Sequence, residues 1–179
     1  DVIFLDIDGI FNTSVNNEKV YIRNEEFYIC FDIRLLSKFV KLCKFCMEYD
    51  VKLVMTTSHS INKTIEEWER FIRKTFRIFN FKDVIIGLDK YQQKDRGLFI
   101  EDFIIKHNIT NYLVIDDDIK DIKPFIPMDN IIEINKKYGT IYNTNSITIR
   151  KKYKGNVMEK IYKTVADELK IPVDKVENT

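Results

Sequence analysis

The sequence predicts an α/β protein whose mostly parallel β-sheet is covered by helices on both faces. Two observations support this prediction. Short apolar runs alternate with amphipathic helical patterns along the chain, and the apolar runs are continuous instead of alternating with polar residues. Continuous apolar runs are typical of parallel strands buried on both faces, and strands that alternate with helices are typical of crossover connections.

The predicted strands are short. They cover residues 2–5, 51–56, 83–87, 111–118 and 131–134, the last of these closing the core sheet. Helical spacing of apolar residues predicts helices over 32–50, 64–76, 96–108 and 157–170. Asp32 is the predicted N-cap of the first helix. Thr64 and Glu67 have the spacing of a capping box at the start of the second.

Segment 12–31 does not fit this alternation. Two short β-like runs within residues 19–31 predict a hairpin or flap over the site, and the segment is too short for a large cap domain. We therefore predict a core over residues 1–142, with 12–31 as a flap or minimal cap, and a C-terminal extension over 143–179 that packs on this core.

Length and composition indicate one globular domain. The chain has 179 residues, of which 45% are hydrophobic and 32% charged, and its formal net charge is +1. This charge argues against a strongly basic nucleic-acid platform, and no apolar run is long enough to predict a membrane span. The chain begins with Asp1 and its first strand follows at once, so we expect a trimmed chain or a domain excised from a longer one.

The three cysteines carry no predicted chemistry. Cys43 and Cys46 form a C-x-x-C inside a helical pattern without a second ligand pair, so they are interpreted as small apolar residues on one helix face. Together with Cys30 they are compatible with a reducing compartment, and we expect a cytoplasmic, intracellular protein.

Polar side chains follow three of the predicted strands. Acids follow the first and fourth, hydroxyls follow the second, and a basic pair precedes the helix that leads to the fourth; in chain order these are Asp6, Asp8, Thr56, Thr57, Ser58, Lys94, Arg96, Asp116, Asp117 and Asp118. Ligands of doubly wound sheets bind beyond the carboxyl ends of the strands. We therefore expect these side chains to share one crevice.

Converging carboxylates repel each other, so either some are protonated or a cation lies among them. Oxygen ligands without a nearby His or Cys favour Mg²⁺ over zinc. A hydroxyl together with Lys or Arg suits a phosphate. An aspartate beside Mg²⁺ and a phosphoryl group can act as a nucleophile, and a carboxylate two residues later can protonate the leaving oxygen and then activate water.

The order of these motifs resembles the haloacid dehalogenase (HAD) superfamily of phosphohydrolases. The stretches IFLDIDGIFN, VKLVMTTSHS, RGLFIEDFI, YLVIDDD and INKKYGTIY are similar to the small phosphatase domains linked to RNA-repair proteins, which resemble the phosphatase half of polynucleotide kinase–phosphatase. The resemblance covers roughly residues 2–142. It implies a Rossmann-like, HAD-like parallel sheet with at most a small flap or cap.

The resemblance also implies a role for each acidic motif residue. Asp6 would be the nucleophile and a Mg²⁺ ligand. Asp8 would be the general acid/base and would give its main-chain carbonyl to the metal. Asp116 and Asp117 would complete the metal site. These roles describe a hydrolase, a Mg²⁺-dependent phosphomonoesterase that acts through an aspartyl-phosphate.

At the hydroxyl and the basic positions of the motif, more than one residue is a candidate. Thr57 would bind the phosphoryl group, with Thr56 and Ser58 as rivals because the strand end is uncertain by a residue. Arg96 would neutralise the phosphate and orient the nucleophile, with Lys94 as the competitor.

The substrate expected from the sequence is a phosphate ester such as a nucleic-acid end or a nucleotide; no membrane partner and no oligomeric state is predicted. Where relatives of this subgroup carry a Trp-Arg pair, this chain has His59 and Ser60, which removes one clamp for a substrate phosphate. Other interpretations are a phosphoprotein phosphatase, a metal-dependent nuclease without a covalent intermediate, a receiver-like phospho-acceptor with motifs in another order, and a silent binding domain.

Three features have two interpretations each. Trp68 suits the core better than a base-stacking platform, and the basic run 150–154 suits a solvated surface better than a nucleic-acid contact. His59 either lies on the surface or caps a turn, or else touches the substrate.

Overall fold

The elements of the fold lie within residues 1–14, 18–137, 140–141 and 151–166, which are the residues that the computed structural model describes. The strands are β1 (Val2–Leu5), β2 (Lys19–Arg23), β3 (Tyr28–Asp32), β4 (Lys52–Met55), β5 (Ile85–Leu88), β6 (Tyr112–Asp116), β7 (Ile131–Asn135) and β8 (Thr140–Ile141). The helices are α1 (Ile33–Glu48), α2 (Ile65–Phe76), α3 (Arg96–His107) and α4 (Val157–Ala166). Short 3₁₀ turns cover Ser58–Ser60 and Met128–Asn130.

The main sheet has the strand order β5-β4-β1-β6-β7-β8. Its first five strands are parallel, and β8 runs antiparallel to β7 at the edge. From the central β1 the chain moves outward through β4 and β5, and α3 then returns it to β6 on the other side of β1. The predicted α/β class is confirmed, and the direction of chain travel reverses at β1, where ligands of such sheets bind.

Both faces of the sheet are covered. Ile3 and Leu5 of β1 belong to one apolar cluster, which includes residues of α1, α2 and α4. Val2 and Phe4 belong to a second cluster, which α3 and residues 119–126 build on the opposite face. Each position of β1 is therefore buried against one layer or the other, which explains why this run is continuously apolar.

The two predicted helix starts have different outcomes. The capping box of α2 is present, since Thr64 Oγ1 accepts from Glu67 N and Glu67 Oε1 accepts from Thr64 N. Asp32 occupies the N-cap position of α1, but its side chain does not cap that helix. Its buried carboxylate binds Lys19 Nζ at 2.6 Å and the Thr13 hydroxyl instead. The predicted N-cap position is confirmed, and the Asp32 carboxylate pairs with Lys19 because an ammonium is a stronger partner for a buried carboxylate.

The predicted hairpin is confirmed over β2 and β3, which pair in an antiparallel two-stranded sheet. Asn24 forms its turn, because Asn24 Oδ1 accepts from the backbone N–H groups of Glu26 and Phe27. One face of the hairpin packs on the core through Val20, Ile22, Ile29 and Phe31. The other face is turned away from that core.

The described part of the C-terminal segment packs on the α1 side of the sheet. Tyr153, Met158 and Ile161 are buried in its apolar cluster. Tyr153 Oη donates to the Tyr112 carbonyl at 2.9 Å and accepts from Asn130 Nδ2 at 2.7 Å. In the basic run 150–154, position 150 lies outside the described residues, and Tyr153 is anchored in the core while its lysine neighbours are exposed.

The last residues of the predicted helix 157–170 lie outside the described residues, and so do residues 143–150 and 171–179. Cys43 and Cys46 are buried on α1, and burial raises the pKa of the Cys46 thiol to about 12. Within the described ranges, none of the helices has the length and apolar character needed to cross a bilayer.

Candidate active site

The carboxyl ends of β1, β4 and β6 meet at one edge of the sheet. Leu5 is in register with Met55 on one side and with Ile115 on the other. Asp6 N donates to the Ile115 carbonyl at 3.2 Å, and Thr56 N donates to the Leu5 carbonyl at 3.0 Å. The parallel register therefore brings the polar residues that follow these strands side by side.

Asp6, Asp116 and Asp117 form an acidic cluster at this edge. One carboxylate oxygen of each lies within 4.8 Å of the others. Asp6 is 5% exposed and Asp116 is fully buried, whereas Asp117 is half-buried. The cluster offers only oxygen donors, which suits a hard divalent cation such as Mg²⁺.

Arg96 is the cation that contacts this cluster. Its Nη1 lies 2.7 Å from Asp116 Oδ2 and 3.3 Å from Asp6 Oδ2. Its rival Lys94 is turned elsewhere, with Nζ paired to Asp102 Oδ2 at 2.6 Å. The geometry therefore favours Arg96 over Lys94 as the basic residue beside the acids.

Close backbone packing holds Arg96 in this position. Gly97 follows it in α3, and Gly97 N donates to the Asp121 carbonyl at 3.0 Å. A Cβ at position 97 would lie 2.4 Å from that carbonyl oxygen and 2.7 Å from Ile122 Cα. Glycine is required here because the α3 backbone touches the segment after β6.

Arg96 does not fully offset the cost of charging the buried acids. Burial raises the pKa of Asp6, and the Asp116 carboxylate raises it further, against the opposing effect of Arg96. Burial also raises the pKa of Asp116, where Arg96 again opposes the shift. A further positive charge at this place would stabilise both carboxylates, so the residues fit a bound Mg²⁺.

Asp8 points into the more open part of the crevice, where its side chain is 54% exposed. Asn12 Nδ2 donates to Asp8 Oδ1 at 2.9 Å, and His59 Nε2 lies 3.1 Å from the same oxygen. The His59 hydrogen bond is the main cause that lowers the pKa of Asp8, and Asn12 adds to it against the effect of burial. His59 is partly buried beside Asp8, and its contact with a substrate stays a prediction.

Asn12 was missed in the sequence. Besides Asp8 it binds the Cys30 carbonyl, to which Nδ2 donates at 2.8 Å, and its Oδ1 accepts from Gly9 N at 2.9 Å. It thus ties the loop after β1 to the hairpin. The available signal was an Asn four residues after Asp8, in a turn where Asn side chains commonly bind backbone groups.

Gly9 allows this loop to pass close to Asp117. Its φ is +82°, in the region that favours glycine. A Cβ at this position would lie 2.2 Å from Asp117 Oδ2. A side chain at position 9 would therefore displace an acid of the cluster.

The three hydroxyls after β4 differ in their surroundings. Thr57 is buried, and its Oγ1 accepts from His59 N at 3.3 Å, which leaves the hydroxyl hydrogen able to donate to a ligand. Thr56 Oγ1 is buried and has no hydrogen-bond partner among the described residues. Ser58 is exposed.

Ser60 has a structural position. It is buried, its Oγ donates to the Met55 carbonyl at 3.1 Å, and it accepts from Trp68 Nε1 at 3.1 Å. Trp68 is fully buried, which confirms its core interpretation.

Two further acids lie near the crevice. Asp89, which follows β5, is buried, and burial raises its pKa against the effects of Arg96 and Lys94. Asp89 was not predicted as a site residue because β5 ends at Leu88, one residue later than the predicted strand, so Asp89 and not Leu88 is the residue that follows it. Asp118 is exposed, and its Oδ1 accepts from Lys120 N.

The fold and the site together define a HAD-type domain, with an acidic cluster and a basic residue at the carboxyl edge of a parallel sheet. The chain belongs to the family described as the HAD domain in Swiss Army Knife RNA repair proteins, whose model matches residues 2–140. No curated protein and no solved structure matches the chain. The family confirms the resemblance seen in the sequence and supports a phosphatase-like, hydrolytic function in an RNA-repair setting.

Proposed function

We propose that this domain is a Mg²⁺-dependent phosphomonoesterase that forms an aspartyl-phosphate on Asp6. The main support is the arrangement of Asp6 and Asp116, two buried carboxylates that share the Arg96 guanidinium. Buried like charges destabilise a fold, and such groups cluster at functional sites. Between β1 and α1 the described residues form the β2–β3 hairpin as their only regular element, and such a small cap also suits a bulky phosphate ester.

The first half of the reaction transfers the phosphoryl group to the protein. A carboxylate oxygen of Asp6 attacks phosphorus, and the bond between phosphorus and the leaving oxygen breaks. Asp8 gives its proton to that leaving oxygen. Arg96 and the Thr57 hydroxyl bind the phosphoryl oxygens and orient the group for attack, with the Thr56 and Ser58 hydroxyls beside them.

The second half releases inorganic phosphate. Asp8, now a carboxylate, takes a proton from a water that attacks phosphorus, and the bond to Asp6 breaks. The His59 hydrogen bond, which lowers the pKa of Asp8, favours this basic form. A substrate phosphate beside Asp8 would raise that pKa and supply the protonated form for the first half.

The metal-binding residues in this proposal are Asp6, Asp116 and Asp117 through their carboxylates and Asp8 through its main-chain carbonyl. Mg²⁺ held there would supply positive charge against the acids and the phosphoryl oxygens. The expected substrates of the domain are polynucleotide phosphate ends or nucleotides.

The decisive experiment measures hydrolysis of an aryl phosphate in Mg²⁺. We expect Asp6→Asn and Asp8→Asn each to abolish turnover while the circular dichroism spectrum stays native. Asp118→Asn is the matched control, because this exposed acid lies at the same edge outside the cluster, and it should keep activity. Full activity of purified Asp6→Asn would exclude the mechanism.

Trapping of the covalent intermediate separates this route from a metal-dependent nuclease. When turnover is quenched in acid, only the covalent route leaves a phosphoryl group from the substrate on Asp6, and Asp6→Asn should not be labelled. Mass spectrometry of the peptide that contains Asp6 reads this directly. A panel with 3′- and 5′-phosphorylated oligonucleotides, in Mg²⁺ and then in chelator, then ranks the substrates.

A further inference from the structure

The outer face of the β2–β3 hairpin carries an ordered strip of polar and aromatic side chains. Because side chains alternate along a strand, the register that packs Ile22 and Ile29 against the core leaves three cross-strand pairs on the opposite face. From the base of the hairpin to its tip these pairs are Lys19 with Asp32, Tyr21 with Cys30, and Arg23 with Tyr28. We call these six residues the hairpin strip.

Two stacked tyrosines dominate the hairpin strip. The Tyr21 and Tyr28 rings lie with centroids 6.1 Å apart at an interplanar angle of 23°, and each residue is 59% exposed. Cross-strand aromatic pairs stabilise hairpins, and this explains the contact between the rings. It does not explain why so much aromatic surface stays in solvent beside an exposed Arg23.

The middle pair of the hairpin strip lies next to the candidate active site. The Cys30 carbonyl accepts from Asn12 Nδ2, and the same amide nitrogen donates to Asp8 Oδ1. Burial raises the pKa of the Cys30 thiol, and the negative charge of Asp8 contributes to this increase, as expected for neighbouring groups. Tyr21 is the cross-strand partner of Cys30, so a substrate chain that leaves the crevice along the hairpin would meet the tyrosines.

We propose that the hairpin strip binds the nucleotides next to the phosphorylated end of a single-stranded nucleic acid, with bases stacked on Tyr21 and Tyr28 and a backbone phosphate paired with Arg23. This inference rests on the proposed phosphatase function and names its substrate class. Aromatic rings accept any base, because every base has a π-face, and a guanidinium suits phosphate. The exposed aromatic surface and the adjoining guanidinium offer both partners that a nucleotide chain needs.

The charge distribution predicts how such binding responds to salt. Lys19 is neutralised by Asp32, so Arg23 is the main cation of the strip available to a phosphate. With one phosphate contact on the strip, its share of the salt dependence should be small, and Arg23→Gln should lower the slope of log affinity against log salt by roughly 0.7.

The test compares a single-stranded phosphorylated oligonucleotide with an aryl phosphate in steady-state hydrolysis. We expect the double variant Tyr21→Ala/Tyr28→Ala to raise KM for the oligonucleotide about tenfold or more and to leave kinetics on the aryl phosphate unchanged. Tyr21→Phe/Tyr28→Phe should behave as the wild type, because stacking needs the rings and not the hydroxyls.

Phe79→Ala is the matched control. Phe79 is 77% exposed and follows the C-terminus of α2, at the sheet edge opposite the crevice, so its removal deletes an exposed ring outside the strip. It should leave both substrates unaffected. Thermal melts of all variants check that the hairpin still folds.

Fluorescence anisotropy with a labelled single-stranded oligonucleotide in chelator measures binding without turnover. Loss of binding in the double alanine variant supports the inference even if no phosphate ester is hydrolysed, in which case only the proposed function fails. The inference is overturned if the double alanine variant binds and hydrolyses the oligonucleotide like the wild type. It is also overturned if a phosphopeptide, and not the oligonucleotide, depends on the tyrosines.

Discussion

Asp6 and Asp116 serve the candidate site at a cost to the stability of the fold. Both carboxylates lie at the end of apolar strands, and both have a raised pKa because burial disfavours their charged forms. Arg96 compensates part of this cost. The protein without bound metal should therefore be less stable at neutral pH than its core alone would allow.

In chelator, Asp6→Asn should change how the stability of the protein depends on pH. The folded protein holds the Asp6 proton more tightly than the unfolded chain, whose carboxyl has the ordinary pKa of 3.8. The free energy of unfolding should thus fall as pH rises from about 4 through the raised pKa. Asp6→Asn removes this loss, so its melting temperature should exceed that of the wild type at about pH 7.5 and match it more closely near pH 4.

Mg²⁺ provides the control for this prediction. Adding Mg²⁺ should raise the melting temperature of the wild type and have a smaller effect on Asp6→Asn, since a ligand stabilises only the state that binds it. A wild-type melting temperature that does not respond to Mg²⁺ would contradict the assignment of the acidic cluster as a metal site.

At the scale of elements, the position of α3 decides where the basic residue lies. Gly97 brings its backbone against Asp121 and Ile122, and Arg96 extends from the preceding position to the acids. The spacing of Lys94 and Arg96 in the sequence does not show which one reaches the crevice. That choice depends on the packing of a helix against a loop more than twenty residues later, which no local pattern encodes.

Gly97→Ala should therefore impair catalysis through displacement of Arg96. The added Cβ meets backbone atoms, so α3 must shift, and we expect kcat on an aryl phosphate to fall at least about tenfold together with a loss of roughly 1–3 kcal/mol in stability. Gly155→Ala is the comparison, since position 155 has a positive φ and open space around it. It should cost some stability and leave kcat unchanged.

The elements themselves were largely readable from the sequence. The β2–β3 hairpin, the capping box of α2 and the strands of the parallel sheet follow from local spacing of apolar and capping residues. Contacts between distant residues were not readable. His59 reaches Asp8 across 51 positions, and Asp32 pairs with Lys19 instead of capping α1, because tertiary partners override the local rule.

For the whole molecule, the rule that parallel strands end at one edge was enough to predict that the acids converge. It placed Asp6 beside Asp116 before any contact was known, because β1 and β6 were both predicted as buried parallel strands. The exact hydroxyl was beyond that rule. Thr56 and Thr57 are adjacent in the sequence and both are buried, so the choice between them depends on how the chain turns after β4.

The C-terminal segment should unfold together with the sheet. Met158 of α4 is fully buried in the cluster that also holds residues of α1 and β1. Met158→Ala should lower the free energy of unfolding by about 2–5 kcal/mol in urea, with one transition retained. Met128→Ala, at a 42% exposed position, should have little effect. Two separate transitions would show that the segment is an independent unit.

The buried position of Ser60 limits which side chains this part of the crevice can carry. Its hydroxyl links the Met55 carbonyl to the indole of Trp68, and the residue is fully buried. An arginine at this position would bury a guanidinium among apolar side chains and would break the hydrogen bond of the Trp68 indole. Position 60 therefore cannot supply a basic side chain to the crevice, and a second cation for a substrate phosphate has to come from another part of the surface.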